Sequence, residues 1–264
     1  MLETNPFSIL AETVSPFAMQ SFIIAMILLI AFGTIIQMIH HKNLTYFLNN
    51  AKKAKLQATR EIGNSERLSI LAKTAVVDIG TTSELGFGKR RLSHVLGMYG
   101  TIIFWISSAM LVFCYTGADK SSSTIWSMLW HVGAILTCIG GYWFWFFLRV
   151  DVLAEAHPWY RIIKADLFVL ALLACATTGL AWSYFQSSGS AGLGYLFLIL
   201  FITSNIVLFG GVYWSKFAHM IYKPGAAIQK NLAEADGSRD NLPPLADAPK
   251  QFGLGIKREQ PKHY

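Results

Sequence analysis

The sequence predicts an all-α integral membrane bundle of five transmembrane helices, and three observations carry that reading. The first is composition: of 264 residues, 53% are hydrophobic and 14% charged, against roughly 45–50% and about 25% in soluble domains, and mean hydropathy is +0.43. The second is the gathering of apolar residues into five runs, about Pro16–Ile39, Val95–Cys114, Ile125–Leu148, Leu167–Phe185 and Leu193–Phe217. Each reaches about the 20 residues that cross a hydrocarbon core of roughly 30 Å as helix, the form in which an isolated span satisfies its own backbone. The third is charge. Ten of the 22 Lys and Arg fall in Lys42–Arg91, three between the third and fourth runs and eight from Lys216 to Lys262, leaving Lys120 alone on the other side. The positive-inside rule then puts the N-terminus outside and both the long first loop and the C-terminus in the cytoplasm. The division expected is an external tail 1–15, a membrane domain 16–223 that includes a cytoplasmic amphipathic loop 42–93, and a cytoplasmic extended tail 224–264.

Taken in order, Met1–Ser15 carries Glu3 and Glu12 and no cation, so no signal peptide is expected and the first run is retained as a span. That span ends in His40-His41-Lys42, read as interfacial anchoring. In the loop, Leu44, Phe47, Leu48, Ala51 and Lys55 recur at helical spacing beside Lys52 and Lys53, which predicts an amphipathic surface helix. A second helix is expected over about Ser65–Val77, and Gly80, Gly86 and Gly88 loosen the chain before the basic run Lys89-Arg90-Arg91. Gly133, Gly140 and Gly141 permit close helix approach in the third span, which ends in Tyr142-Trp143-Phe144-Trp145, an interfacial aromatic belt beside Arg149. Asp166 opens the fourth span, where a carboxylate suits a helix N-terminus. The fifth descends through Trp214 and Lys216 to His219, with Pro224 expected to end the helix. From Leu232 on, Pro243, Pro244, Pro249 and Pro261 interrupt a polar sequence expected to be extended unless a partner orders it. The net charge of +7 thus reports topology rather than nucleic acid, for which no motif is present.

Cys114, Cys138 and Cys175 lie in spans with no CxxC spacing, so no iron–sulfur cluster or zinc is expected on this chain. Histidine is the metal-capable residue. An imidazole at the start of a span is costly in hydrocarbon and becomes a functional candidate. His94, one turn inside the second span, and His219, at the end of the fifth, share the cytoplasmic side by topology. Two readings stand open for them: axial ligands of one b-type haem, or interfacial histidines hydrogen-bonded to headgroups and loop backbone.

Two local sequences bear on that choice, KRRLSHVLGMYG at Lys89–Gly100 and SKFAHMIYK at Ser215–Lys223. With five spans and an external N-terminus, they resemble the nitrate reductase gamma-subunit family of membrane cytochromes b, and more closely its quinone-interacting relatives in sulfur metabolism. The resemblance covers roughly Gly88–Lys223. Within that group the chain is most similar to the stand-alone membrane anchors of dissimilatory adenylylsulfate reductase. It implies one haem b on His94 and His219, quinone as substrate, and location in the cytoplasmic membrane of a prokaryote. It also implies a cytoplasmic flavin and iron–sulfur oxidoreductase as partner, docked on 44–84 and 224–264. The two-haem pattern of that family wants further histidines where this chain has Phe104 and Phe201, so a second haem is not expected. His131 lies at that depth and reads as a bundle-interior histidine bonded to a neighbouring helix, with a His131–Met110 pair as the alternative.

Quinone reduction needs proton donors and a cation or hydrogen bond on the developing oxyanion. Arg91, His157, Arg161 and Asp166 are the quinone-site candidates, each with the plainer reading of a topological anchor or helix cap. Competing classes are a purely structural anchor, a cytochrome b subunit of another quinone-linked reductase, and a transporter. The last is disfavoured because no internal repeat or broken span is visible.

Overall fold

Five helices long and apolar enough to cross a membrane form where the apolar runs lie, at Pro16–His40, Lys89–Cys114, Thr124–Leu148, Lys164–Ser187 and Ala191–Tyr213. The structure is a computed structural model that describes residues 2–40, 42–86, 88–116, 124–151 and 156–238. Among these residues there is no strand. In chain order the α-helices are α1 (Pro6–Leu10), α2 (Pro16–His40), α3 (Asn43–Leu56), α4 (Asn64–Lys73), α5 (Lys89–Cys114), α6 (Thr124–Trp143), α7 (Leu167–Ser187), α8 (Ala191–Gly210) and α9 (His219–Ala235). Wider π turns extend α4 through Thr74–Gly80 and α6 through Phe144–Leu148. The chain divides into two units, one built from Met1–Gln37 and Leu92–Ala218, the other from Met38–Arg91 and the chain from His219 on.

The first unit holds the spans. Its tightest packing is between α5 and α6, where glycine removes the side chain from the contact. A Cβ on Gly133 would lie 2.6 Å from the Phe104 amide nitrogen, and one on Gly100 would lie 2.5 Å from that of Thr137. Ser93 donates to the Gly140 carbonyl at 2.8 Å and Trp130 Nε1 donates to Ser108 Oγ at 2.9 Å. Around this pair the core is aromatic. Trp130, Phe104, Trp182 and Phe201 are buried together, with Phe201 stacked on Trp182 at 5.6 Å. Phe104 and Phe201 are thus packed rings of this core, with centroids 6.3 Å apart. Residues 2–15 do more than trail from the surface. Asn5 caps α1 through the Phe7 amide at 3.0 Å and donates to the Tyr115 carbonyl at 3.1 Å, and Phe7 sits edge-on to both Trp130 and Trp182. Phe7 and Leu10 give the tail enough apolar surface to bury.

The second unit consists of α3, α4 with its π turns, and α9. Both expected surface helices are present. The tail departs from expectation: α9 runs through Pro224 to Ala235, so 224–235 are helical rather than extended. Pro224 comes early in α9, and burial of Ala227 and Ala233 with the bonds from Asn231 Nδ2 to Thr74 Oγ1 and Asp78 Oδ2, both 2.7 Å, outweighs the proline. Arg60 closes the helix end, donating through Nε to the Ala235 carbonyl at 2.6 Å while pairing with Glu66. The expectation for 239–264 lies outside the described residues.

Candidate functional site

The chemistry of the first unit concentrates where α6 ends and α7 begins. The last turns of α6 place Arg149 at the C-cap, and the chain folds back over it. The Arg149 side chain is 0% exposed and its guanidinium lies 4.3 Å from the Trp145 ring centroid. Nη1 donates to the carbonyls of Pro158 at 2.8 Å and His157 at 3.5 Å. Nη2 donates to the Arg161 carbonyl at 2.6 Å and to Asp166 Oδ2 at 2.5 Å. Oδ2 also accepts the Ile163 amide at 2.9 Å, which holds Asp166 in the single 3₁₀ turn Lys164–Asp166 that leads into α7. Among the described residues, Arg149 Nε is buried without a partner. Four carbonyl or carboxylate acceptors around one planar cation satisfy most of a charge that would otherwise be prohibitive to bury.

That clamp shapes the surface above it. Ile162, Ile163 and Lys164 on the loop, Leu167 and Leu170 on α7, and Trp214 after α8 line an open groove of about 500 Å³. Its walls are apolar, and Lys164 is its one cation among those lining residues. Trp214 is 61% exposed because the chain breaks there: α8 ends at Gly210, a 3₁₀ turn covers Gly211–Tyr213, and Ser215 Oγ accepts the Phe217 amide at 3.2 Å.

The expected site residues are treated unequally. Asp166 is committed to Arg149 and the Ile163 amide. His157 is half-buried beside the clamp, with its amide donating to the Arg149 carbonyl at 3.0 Å. Arg161 contributes its carbonyl inward while its side chain is exposed. Arg91 belongs to the second unit, where Nε donates to the Thr81 carbonyl at 2.8 Å and braces the chain ahead of α5. His94 occupies an exposed position on α5 in the first unit. His219 is not on the fifth span: the helix breaks before it, and it opens α9 in the second unit. The axial pairing of the two histidines therefore rests on the sequence topology and the resemblance. Among the described residues, no three His, Cys, Asp or Glu gather as a metal-holding group.

His131 is a bundle-interior histidine, as expected. It is completely buried, with Nδ1 2.7 Å from the Ser127 carbonyl and Nε2 2.7 Å from Ser183 Oγ on α7. A carbonyl only accepts, so Nδ1 carries the proton and Nε2 accepts from the serine hydroxyl. Both ring nitrogens are thereby committed, which leaves the His131–Met110 alternative without a free ligand atom in this arrangement.

Arg149 and Lys164 are the residues that sequence reasoning passed over as topological cations. The available signal was a cation at the end of one span and a carboxylate at the start of the next, with a short loop between. No known family model, curated protein or solved structure matches the chain.

Proposed function

We propose that this chain is the membrane anchor and electron-transfer subunit that joins a cytoplasmic flavin and iron–sulfur oxidoreductase of the adenylylsulfate reductase type to the quinone pool. The observation that carries the reading is the groove over the Arg149–Asp166 clamp, apolar along its length and cationic at Lys164. A quinone has that chemistry: a flat apolar ring and tail with carbonyl oxygens that gain negative charge on reduction. In the partner, sulfite and AMP join as adenylylsulfate with release of two electrons. Quinone takes up those two electrons and two protons to give quinol. The Lys164 ammonium supplies the hydrogen bond and charge for the developing oxyanion, and His157, half-buried at the edge of the same loop, is the proton-relaying group. Asp166 and Arg149 position the loop and touch no substrate.

In this reading the membrane is the cytoplasmic membrane of a prokaryote, with the N-terminus outside and the groove on the cytoplasmic side, where 21 of the 22 Lys and Arg would lie. The partner docks on 44–84 and on the chain beyond Pro224. Exposed Leu68 and Val76 on the second unit support that use of the loop. A haem b on His94 and His219 enters the scheme through the sequence topology and the resemblance, and a reduced-minus-oxidised visible spectrum with His94→Ala and His219→Ala decides it.

The test is quinone reduction by the purified complex. Lys164→Met is expected to slow it about tenfold, the loss of one charge-assisted hydrogen bond, while the partner still copurifies. An unchanged rate removes the groove from the mechanism. No quinone-dependent activity in the intact complex leaves the chain a purely structural anchor.

A further inference from the structure

Within the second unit, α3 stands out by its place in the chain and by its charge. It begins at Asn43, three residues after the first span ends at His40, a separation of at most about 11 Å of chain. Lys42 between them has a φ of 54°, in the left-handed region, so α3 starts as a new helix and does not continue the span. Its first turn is therefore tethered close to the depth of the lipid headgroups. We propose that α3 lies on the bilayer surface and binds anionic phospholipid headgroups, of the phosphatidylglycerol type.

Three observations of different kinds support that occupant. The first is which side of the helix is free. Ala54 is buried, and the Phe47 ring reaches toward α9, where it lies 4.0 Å from the place of a Cβ on Gly225. Leu44, Leu48, Lys52 and Lys55 recur at steps of four, four and three, which makes them a different side of the helix, and all four are exposed. The second is what that side presents. Two leucines stand near the end of the span and two ammonium groups follow them. Among the described residues, no carboxylate pairs with Lys52 or Lys55. Such a strip fits the plane of the interface, with the leucines among the acyl chains and the lysines reaching back to phosphates. The third is a contrast of charge inside the unit. Residues 42–60 hold five Lys and Arg and no Asp or Glu, whereas 64–80 hold two of each sign. A basic stretch beside a span is drawn to anionic lipid. The balanced α4 stretch, with Leu68 and Val76 exposed, suits a protein partner instead.

Amide hydrogen exchange of Asn43–Leu56 in the full chain tests the proposal, in nanodiscs of phosphatidylcholine with and without phosphatidylglycerol. Exchange is expected to be at least about tenfold slower with the anionic lipid, and the difference is expected to disappear at high salt. Lys52→Gln with Lys55→Gln, both at exposed positions, is expected to abolish the difference. Arg67→Gln with Lys73→Gln removes the same charge from α4 and is expected to leave it in place. Equal exchange in the two discs overturns the proposal, as does slowing that survives loss of Lys52 and Lys55 or that is lost equally with Arg67 and Lys73. Protection that is the same in both discs and vanishes when copurifying proteins are stripped assigns this side of α3 to a protein and likewise overturns it. None of these results bears on the groove at Lys164.

Discussion

Arg149 and His131 are both completely buried in the first unit, and the protein accommodates them by different means. Arg149 sits where a span ends and a loop can bend over it, so its acceptors are three loop carbonyls and one carboxylate. His131 sits inside the helical run, where the chain cannot bend to bring new acceptors to it. Its partners are the Ser127 carbonyl one turn back and a hydroxyl from α7. A charge needs chain that can rearrange around it, whereas a neutral ring needs one well-placed neighbour. The difference also sets what each can do. The cation organises a loop and thereby a groove, while the imidazole ties two spans together.

The largest break in this comparison is at the clamp. Arg149→Met leaves Asp166 and three loop carbonyls without their donor in a buried setting. It is expected to lower stability by about 3–5 kcal/mol, read as thermal unfolding in detergent. Adding Asp166→Leu is expected to restore part of that loss, since the remaining partner is then apolar. If the double variant is no better than the single, the ion pair is not the element being lost. Next in size is Gly133→Val, which puts a branched side chain against the Phe104 backbone and is expected to cost about 1–3 kcal/mol or more by overpacking α5 against α6. Ser183→Ala removes the histidine's interhelical bond and is expected to cost only about 0.6 kcal/mol, the typical worth of such a bond between membrane helices. A loss as large as that at Arg149 would erase the distinction between the two sites.

The smallest effect extends the comparison to the second unit. Asp78 is held below the usual carboxylate range, first by the Ser83 hydroxyl and then by Asn231. A depressed folded-state pKa contributes stability above the unfolded value of about 3.9, and the contribution is lost as pH falls through the folded value. Asp78→Asn is therefore expected to lower stability modestly at pH 7, where the contribution is present, and to flatten the acid limb so that the two proteins converge below about pH 4. An unchanged acid limb would show that Asp78 is not the group responsible.

The five spans were legible because membrane insertion reads mean hydropathy over some 20 residues, and that average survives ignorance of every contact. The glycines of α6 were legible for the same reason of scale: a missing side chain on an apolar helix has few other uses. Arg149 was not, because a cation beside an aromatic belt looks the same in sequence whether it reaches headgroups or turns inward. Its burial depends on a loop whose fold follows from Arg149 itself. The course of α9 through Pro224 was hidden by the strength of proline as a local signal, which the alanine contacts and Asn231 override. The break at Trp214–Ser215 separated His219 from the fifth span, and only Gly210-Gly211 hinted at it.

Three of the groups that hold Arg149 are main-chain carbonyls, of His157, Pro158 and Arg161. Every amino acid carries that oxygen. The clamp is therefore indifferent to the side chains at these three positions, and the restriction on sequence falls on Arg149 and Asp166. Residues at the surface of the loop are free to change what the groove accepts while the scaffold beneath stays as it is. A library randomised at 157, 159, 161 and 162 should keep folding, which makes this loop the place where the surface around the groove can change while the scaffold stays as it is.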